Sequence, residues 1–265
     1  MMQPPPQMQP PGGPLGRASA HEGDRVDPFM SGDHYGPVLE PFLVRIVGAQ
    51  IKVNPLLQPV PDEADRPYLK WNMLFPSSNC QRSTDPSHIS WVEGRHEPAT
   101  FPRVSSLQIV SDGFPWMVKV EARRPETGVT CGDVIDRLSG SMNTLSSGAD
   151  YEALPPHKKR LIAEAYQHNR SRAHGVPGGM LEVGMKRLDF LGKDTIFGGI
   201  VNDEEYLTRH AGVVLPCTFV LKCLRRFAMT AEEIRDHEAR QRAAAAQDTR
   251  RATVTTDSDD DDDDT

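Results

Sequence analysis

The chain has only four cysteines in 265 residues, and none stands at the close spacing of a metal-binding pair. Such sparse thiols fit a reducing compartment rather than a disulfide framework. No apolar run approaches the roughly 18 residues a membrane helix needs. The opening Met1-Met2-Gln3-Pro4 carries no apolar signal segment. The expected location is therefore cytoplasm or nucleus. Contiguous catalytic signatures are also missing: there is no Gly-x-Ser-x-Gly elbow, no His-Glu-x-x-His and no helical pair of acidic ligands. Aromatic residues make up 6% of the chain and do not interleave with its basic clusters, so no stacking platform for nucleic-acid bases stands out. Positive charge is not in excess either. The formal net charge is -7, and seven aspartates fall between Asp257 and Asp264. Without them, 30 acidic side chains face 30 lysines and arginines. The body thus has no bulk field to attract nucleic acid or an anionic membrane.

What is present divides the chain. Residues 1–36 are rich in Pro, Gln and Gly and lack apolar periodicity. They cannot bury enough surface to offset ordering, and are expected to be a disordered tail. Residues 37–228, about 190 residues, suffice for one domain with a sizeable core. Residues 229–251 read as an exposed polar helix opened by Thr230-Ala-Glu-Glu233, with Asp236–Arg240 and Glu238–Arg242 at supportive spacing. Residues 252–265 form a self-repelling acidic tail, expected to be disordered.

The clearest local pattern runs from Pro98 to Leu145. Leu107 and Ile109 share one face of a strand, and Ser111-Asp112-Gly113 then supplies a turn. Trp116, Val118 and Val120 alternate with Met117, Lys119 and Glu121, which predicts a second strand with one buried face. Thr130 and Asp133 are spaced as a capping box, and Val134, Ile135, Leu138, Met142 and Leu145 follow as one helical stripe. Pro155-Pro156 opens a second helix to about Arg170, with Leu161, Ile162, Ala165 and Tyr166 apolar. Strands are expected within 38–53, 68–75, 185–199 and 213–226, and a long surface loop over 76–98. The fold expected is a single α+β domain: a mostly antiparallel sheet, two packed helices, disordered termini and a projecting C-terminal helix.

Six strings carry a family resemblance: Lys52-Val-Asn-Pro-Leu-Leu57, Leu69-Lys-Trp-Asn-Met73, Pro98-Ala-Thr-Phe-Pro102, Phe114-Pro-Trp116, Val129-Thr-Cys-Gly-Asp-Val134 and Arg187-Leu-Asp-Phe-Leu-Gly192. Together they resemble an uncharacterised domain family of mushroom-forming fungi, domain of unknown function DUF6699. The resemblance spans about 38–227. It implies the domain boundaries and a fungal source, and no activity, ligand or catalytic residue.

Candidate sites are few. Cys217 and Cys223, on one strand, would lie about 20 Å apart, too far to share an ion. Cys80, His88 and His96 form no tight ligand pair, and Asn169-Arg170-Ser171 is a glycosylation triplet in a chain expected not to be secreted. The 179–186 stretch superficially resembles a phosphate loop, but Met185 stands at its lysine position. Cys131 falls in a helix's first turn, where the amide ends would lower a thiol's pKa. Asp133, three residues before Asp136, is already committed to capping. No catalytic, cofactor or metal residue is assigned. Lys158, Lys159, Arg160, Arg170 and Arg172 could gather on one basic face that binds an anion or partner. Thr256 and Ser258, each with an aspartate three positions on, suit an acid-directed kinase.

These residues favour a non-catalytic protein-interaction module, with contacts through the 76–98 loop, the projecting helix and the tails, and a protein partner not identified. Two other classes stand beside it: an enzyme with a non-contiguous site, and a binder of nucleic acid or phosphate using the basic helix. A deep hollow gathering His, Asp and Cys would speak for the enzyme, and a flat surface for the module.

Overall fold

The computed structural model describes residues 36–60, 66–87, 89–211 and 216–225, together with Phe29 and Arg235. Nearly all of the expected terminal tails and of the 229–251 helix, with His88, Thr256 and Ser258, lie outside these residues.

The architecture is α+β. The element order is α1 (Pro41–Val47), β1 (Lys52–Val53), β2 (Leu69–Lys70), β3 (Gln81–Arg82), β4 (Thr100–Phe101), β5 (Ser106–Ser111), β6 (Phe114–Glu121), α2 (Cys131–Asn143), α3 (Gly148–Glu152), α4 (Pro156–Asn169), β7 (Ile196–Val201), α5 (Glu204–Ala211) and β8 (Thr218–Leu224). Four strands form the main sheet in the order β6-β5-β8-β7. The outer pairs are antiparallel, while β5 and β8 run parallel at its centre. Two short antiparallel pairs, β1 with β4 and β2 with β3, extend the body.

The hairpin and α2 form as their pattern dictates. Leu107 opposes Val120 and Ile109 opposes Val118. All four are buried, as are Val134, Ile135, Leu138 and Met142 of α2, in one core. Thr130 Oγ1 accepts from the Asp133 amide at 3.1 Å, and the Asp133 carboxylate accepts from the Thr130 amide at 3.0 Å. This reciprocal cap satisfies two first-turn donors. On the other face of the sheet, Tyr206 and Leu207 of α5 pack on Val220, with Val110 and Val201 at the edge.

Several segments differ from the sequence expectation. Residues 41–47 are a helix rather than part of a strand. Pro41 suits a first helical turn, and Gly48, at φ 61°, ends the helix by donating its N–H to Arg45 and Val44 carbonyls. The β-branched content of 38–53 was outweighed by these two ends. The expected strand over 68–75 shortens to Leu69–Lys70, because Asn72 Oδ1 takes the Leu74 amide at 3.1 Å and turns the chain. The 185–199 stretch splits into a 3-10 turn, Arg187–Leu191, and β7. Three helices, α1, α3 and α5, join the two expected ones. Leu161, expected on the buried stripe of α4, is 52% exposed.

Nor is the 76–98 loop free surface. Cys80 and Trp91 are buried beneath it. Ser77 N–H donates to Ser139 Oγ at 3.1 Å, and the carbonyls of Arg95 and Glu97 accept from the Gly132 and Cys131 amides at 2.8 and 2.9 Å. The loop therefore caps the N-terminus of α2. A Cβ on Gly132 would sit 2.9 Å from the Arg95 carbonyl oxygen, so only glycine admits this approach.

Candidate binding cleft

A cleft of about 1200 Å³ opens where the β5–β6 turn meets α4 and the segment after the 187–191 turn. Its inner wall is aromatic. Phe114 and Trp116 stack with centroids 5.0 Å apart, and Phe190 meets Trp116 edge-on at 5.0 Å. The Arg187 guanidinium lies 4.7 Å from the Trp116 ring centre. Trp116 is thus held by three neighbours and is half-buried. Its position follows from strand alternation, which places residues 114, 116, 118 and 120 on one face of β6. The facing wall is α4, which buries Ile162 and Ala165 and leaves Leu161 open to the cleft. Met117, 45% exposed, and Leu154 add apolar surface.

The rim carries charges of both signs: Lys158, Lys193 and Arg225 against Asp112, Glu164 and Asp194, with His168 and His174 among them. Two groups are perturbed, Tyr206 in the cleft and Cys223 behind it. Burial, and then the Asp112 carboxylate, pushes the Tyr206 hydroxyl up to about 12. Burial pushes the Cys223 thiol up to about 11, partly offset by Ser111. Cys223 Sγ lies 3.7 Å from Ser111 Oγ, just behind the β5–β6 turn.

The five basic residues have different surroundings. Lys158 lines the cleft. Lys159 pairs with Glu152 at 2.7 Å, its Nζ 5.5 Å from the Tyr151 ring centre. Arg160 and Arg172 are exposed. Arg170 faces inward: it grips both oxygens of fully buried Asp189 at 3.0 and 3.1 Å. It also donates to the carbonyls of Tyr166, Glu182 and Gly184. Sequence reasoning could not separate this arginine from its neighbours. A signal was present in Asn169-Arg170, the end of α4, where Asn169 donates to the same Asp189 at 2.9 Å.

Three of the thiols are buried, and Cys223 is half-buried. Cys131 is fully buried, and burial, with the nearby Glu97 carboxylate, lifts it well above the ordinary thiol range despite its helical first turn. Burial likewise raises Cys80 to about 12 and Cys217 to about 11. Cys217 precedes β8, so it and Cys223 do not share one strand. Among the described residues, no group of three or more His, Cys, Asp or Glu is placed to hold a metal ion, and no helix is long and apolar enough to cross a membrane.

A second charged cluster lies at the start of α2. Asp136 accepts from Ser77 Oγ at 2.8 Å, Arg95 at 2.5 Å and Arg123 at 2.6 Å. Burial pushes its carboxyl up, but these three donors outweigh it and hold the group below its ordinary value. The cluster fastens the 76–98 loop to α2.

A family model described as a family of unknown function, DUF6699, matches residues 69–209, more than half the chain. The chain belongs to DUF6699. The match runs from β2 into α5 and is narrower than the span expected from the six strings. It includes the walls of the cleft formed by β6, α4 and Phe190. No curated protein and no solved structure matches the chain.

Much of the six strings is scaffold. Asn54, 1% exposed, donates to the Pro98 carbonyl at 2.9 Å and accepts from the Leu56 amide at 2.9 Å. Trp71 Nε1 donates to the Phe75 carbonyl at 3.0 Å. The Ala99 amide donates to Val129 O at 2.8 Å. Asp189 anchors Arg170. Two strings reach the cleft: Phe114-Pro-Trp116, and the 187–192 string through Phe190, Leu191 and Gly192.

Proposed function

We propose that this domain is a non-catalytic protein-interaction module of a mushroom-forming fungus, working in cytoplasm or nucleus. Its contact surface is the cleft, and its partner is a protein segment that presents a cluster of apolar side chains. The observation that carries the reading is the cleft itself. It is a large hollow with an aromatic wall, facing a helix that leaves Leu161 exposed. Concave, mainly apolar sites with a few polar groups are where proteins gain most from burying a ligand's surface. The fungal source rests on the six sequence strings.

Leu161→Asp tests the reading. The side chain is 52% exposed, so the change leaves the core intact. A buried carboxylate facing an apolar partner is costly. Affinity purification from native cells should recover a stoichiometric partner with the unaltered chain and lose it with the variant. An identical set of captured proteins would refute the cleft as the contact surface.

A deep hollow is the feature expected to speak for an enzyme, and this one brings His168, His174, Asp112 and Asp194 to a common rim, although no cysteine lines it. Against it, Tyr206 of the hollow and Cys223 behind it move away from neutrality, the reverse of what a base or nucleophile needs. It predicts turnover that His168→Gln abolishes. For the tail, phosphorylation of Thr256 and Ser258 would add about -1.5 to -2 charges per site. That would tune contacts with basic partners or with Lys158, Arg160 and Arg172. Mass spectrometry of native protein tests it.

A further inference from the structure

The cleft sits where the sheet ends. β8 stops at Leu224, and Arg225, the next residue, lines the cleft. The sequence that follows is Arg226-Phe-Ala-Met-Thr-Ala-Glu-Glu-Ile234. Between 226 and 253 its only large apolar residues are Phe227, Met229 and Ile234. These three are not scattered. Thr230 and Glu233 have the spacing of a capping box. With Thr230 as cap, Met229 precedes it and Ile234 is the fourth helical residue, the two positions that meet in a hydrophobic staple. Phe227 stands two residues before Met229. The sequence thus gathers these apolar residues in one short segment, and no further large apolar residue follows before 254.

We infer that residues 227–234 of this same chain occupy the cleft in the resting protein, with Phe227, Met229 and Ile234 against Leu161, Met117 and the Trp116 wall. The inference rests on the reading of the cleft as an apolar contact surface. Two arguments favour this occupant. The first is reach: Phe227 and Met229 lie two and four residues beyond a cleft-lining residue, within about 7 and 14 Å of extended chain. The second is concentration: a segment on so short a tether faces the cleft at an effective concentration in the millimolar range. An external segment must displace it. The partner should therefore carry a similar Phe/Met/Ile cluster and bind better once the internal one is weakened.

The test is disulfide trapping in the full chain. Leu161→Cys combined with Phe227→Cys should close rapidly with diamide, read as the loss of both introduced thiols. Val183→Cys combined with Phe227→Cys is the control, because Val183 is 94% exposed and does not line the cleft. It should close much more slowly. Equal rates in the two pairs would overturn the inference. As a second measurement, Leu161→Cys alone should react several-fold faster with a maleimide when Phe227, Met229 and Ile234 are changed to Ser. An unchanged rate would also overturn it. Either negative result leaves the Leu161→Asp partner test standing, since an open cleft can still bind a partner. Conversely, efficient trapping with no partner lost in Leu161→Asp would sink the module reading and keep the internal contact.

Discussion

Replacing Arg170 with methionine should destabilise this domain far more than changing any exposed cation on α4. The Asp189 carboxylate is fully buried and accepts from Arg170 Nη1, Arg170 Nη2, Asn169 Nδ2 and the Lys186 amide at 3.0, 3.1, 2.9 and 2.8 Å. Methionine keeps the aliphatic stem but loses the guanidinium, whose carbon lies 3.8 Å from the Tyr166 ring centre. It removes both donors to a charge that water cannot reach. Breaking a buried pair by deleting one partner costs about 3–5 kcal/mol, mostly for the stranded charge. For a domain of this size each kcal/mol lowers the melting temperature by about 2–4 °C, so the expected drop is roughly 6–20 °C by circular dichroism. High salt should change the loss little, because buried pairs are weakly screened. In a double-mutant cycle with Asp189→Asn, the two losses should fall well short of adding. A drop of only one or two degrees, with simple additivity, would refute the structural role. Arg170 would then return to the set of cations open to an anionic partner.

Gly199→Ala should lower the urea midpoint by the equivalent of at least about 2 kcal/mol. Gly199 has φ 91°, and its Cβ would fall 2.4 Å from the Pro59 backbone nitrogen; an unchanged midpoint would show that the 58–59 segment can move off β7. For Asp136, whose carboxyl is held below its ordinary value of 3.8, the contribution to stability is present above that value and lost as pH falls through the depressed one. Asp136→Asn should therefore flatten the acid limb of the stability curve below about pH 4; a limb of unaltered slope there would mean that the Arg95 and Arg123 contacts do not bind it. The three buried thiols should resist a maleimide at pH 8 and react together on unfolding, with half-buried Cys223 labelled ahead of them. Fast labelling of Cys131 in the native protein would overturn the account of its burial.

Local chemistry fixed those parts of the fold that need no distant partner. The β5–β6 hairpin follows from period-two alternation around Ser111-Asp112-Gly113. The start of α2 follows from Thr130 and Asp133, whose bonds span three residues, and the start of α4 follows from Pro155-Pro156. These can be read because both partners lie within one turn of chain. Where the signal was composition rather than a cap, it misled. The β-branched residues of 38–53 suggested strands, yet Pro41 and Gly48 delimit a helix, and the end residues won. The apolar stripe of α4 was legible as a pattern, but not which of its members would stay open. Leu161 remains exposed because the β5–β6 turn and the 190–195 segment stop short of it, and that gap is the cleft. Arg170 shows the same limit. In sequence it is one cation among five; in space it is the counter-ion of a carboxylate 19 residues away. The hairpin, the capped start of α2, the proline start of α4 and the charge of the tail are legible in the sequence, because hydrogen bonds and periodicity over a few residues suffice for these. Only the tertiary structure decided which cations are structural, which thiols are sealed, and that Phe114, Trp116, Leu161 and Phe190 share one hollow. Each of those depends on what segments distant in sequence bury against one another.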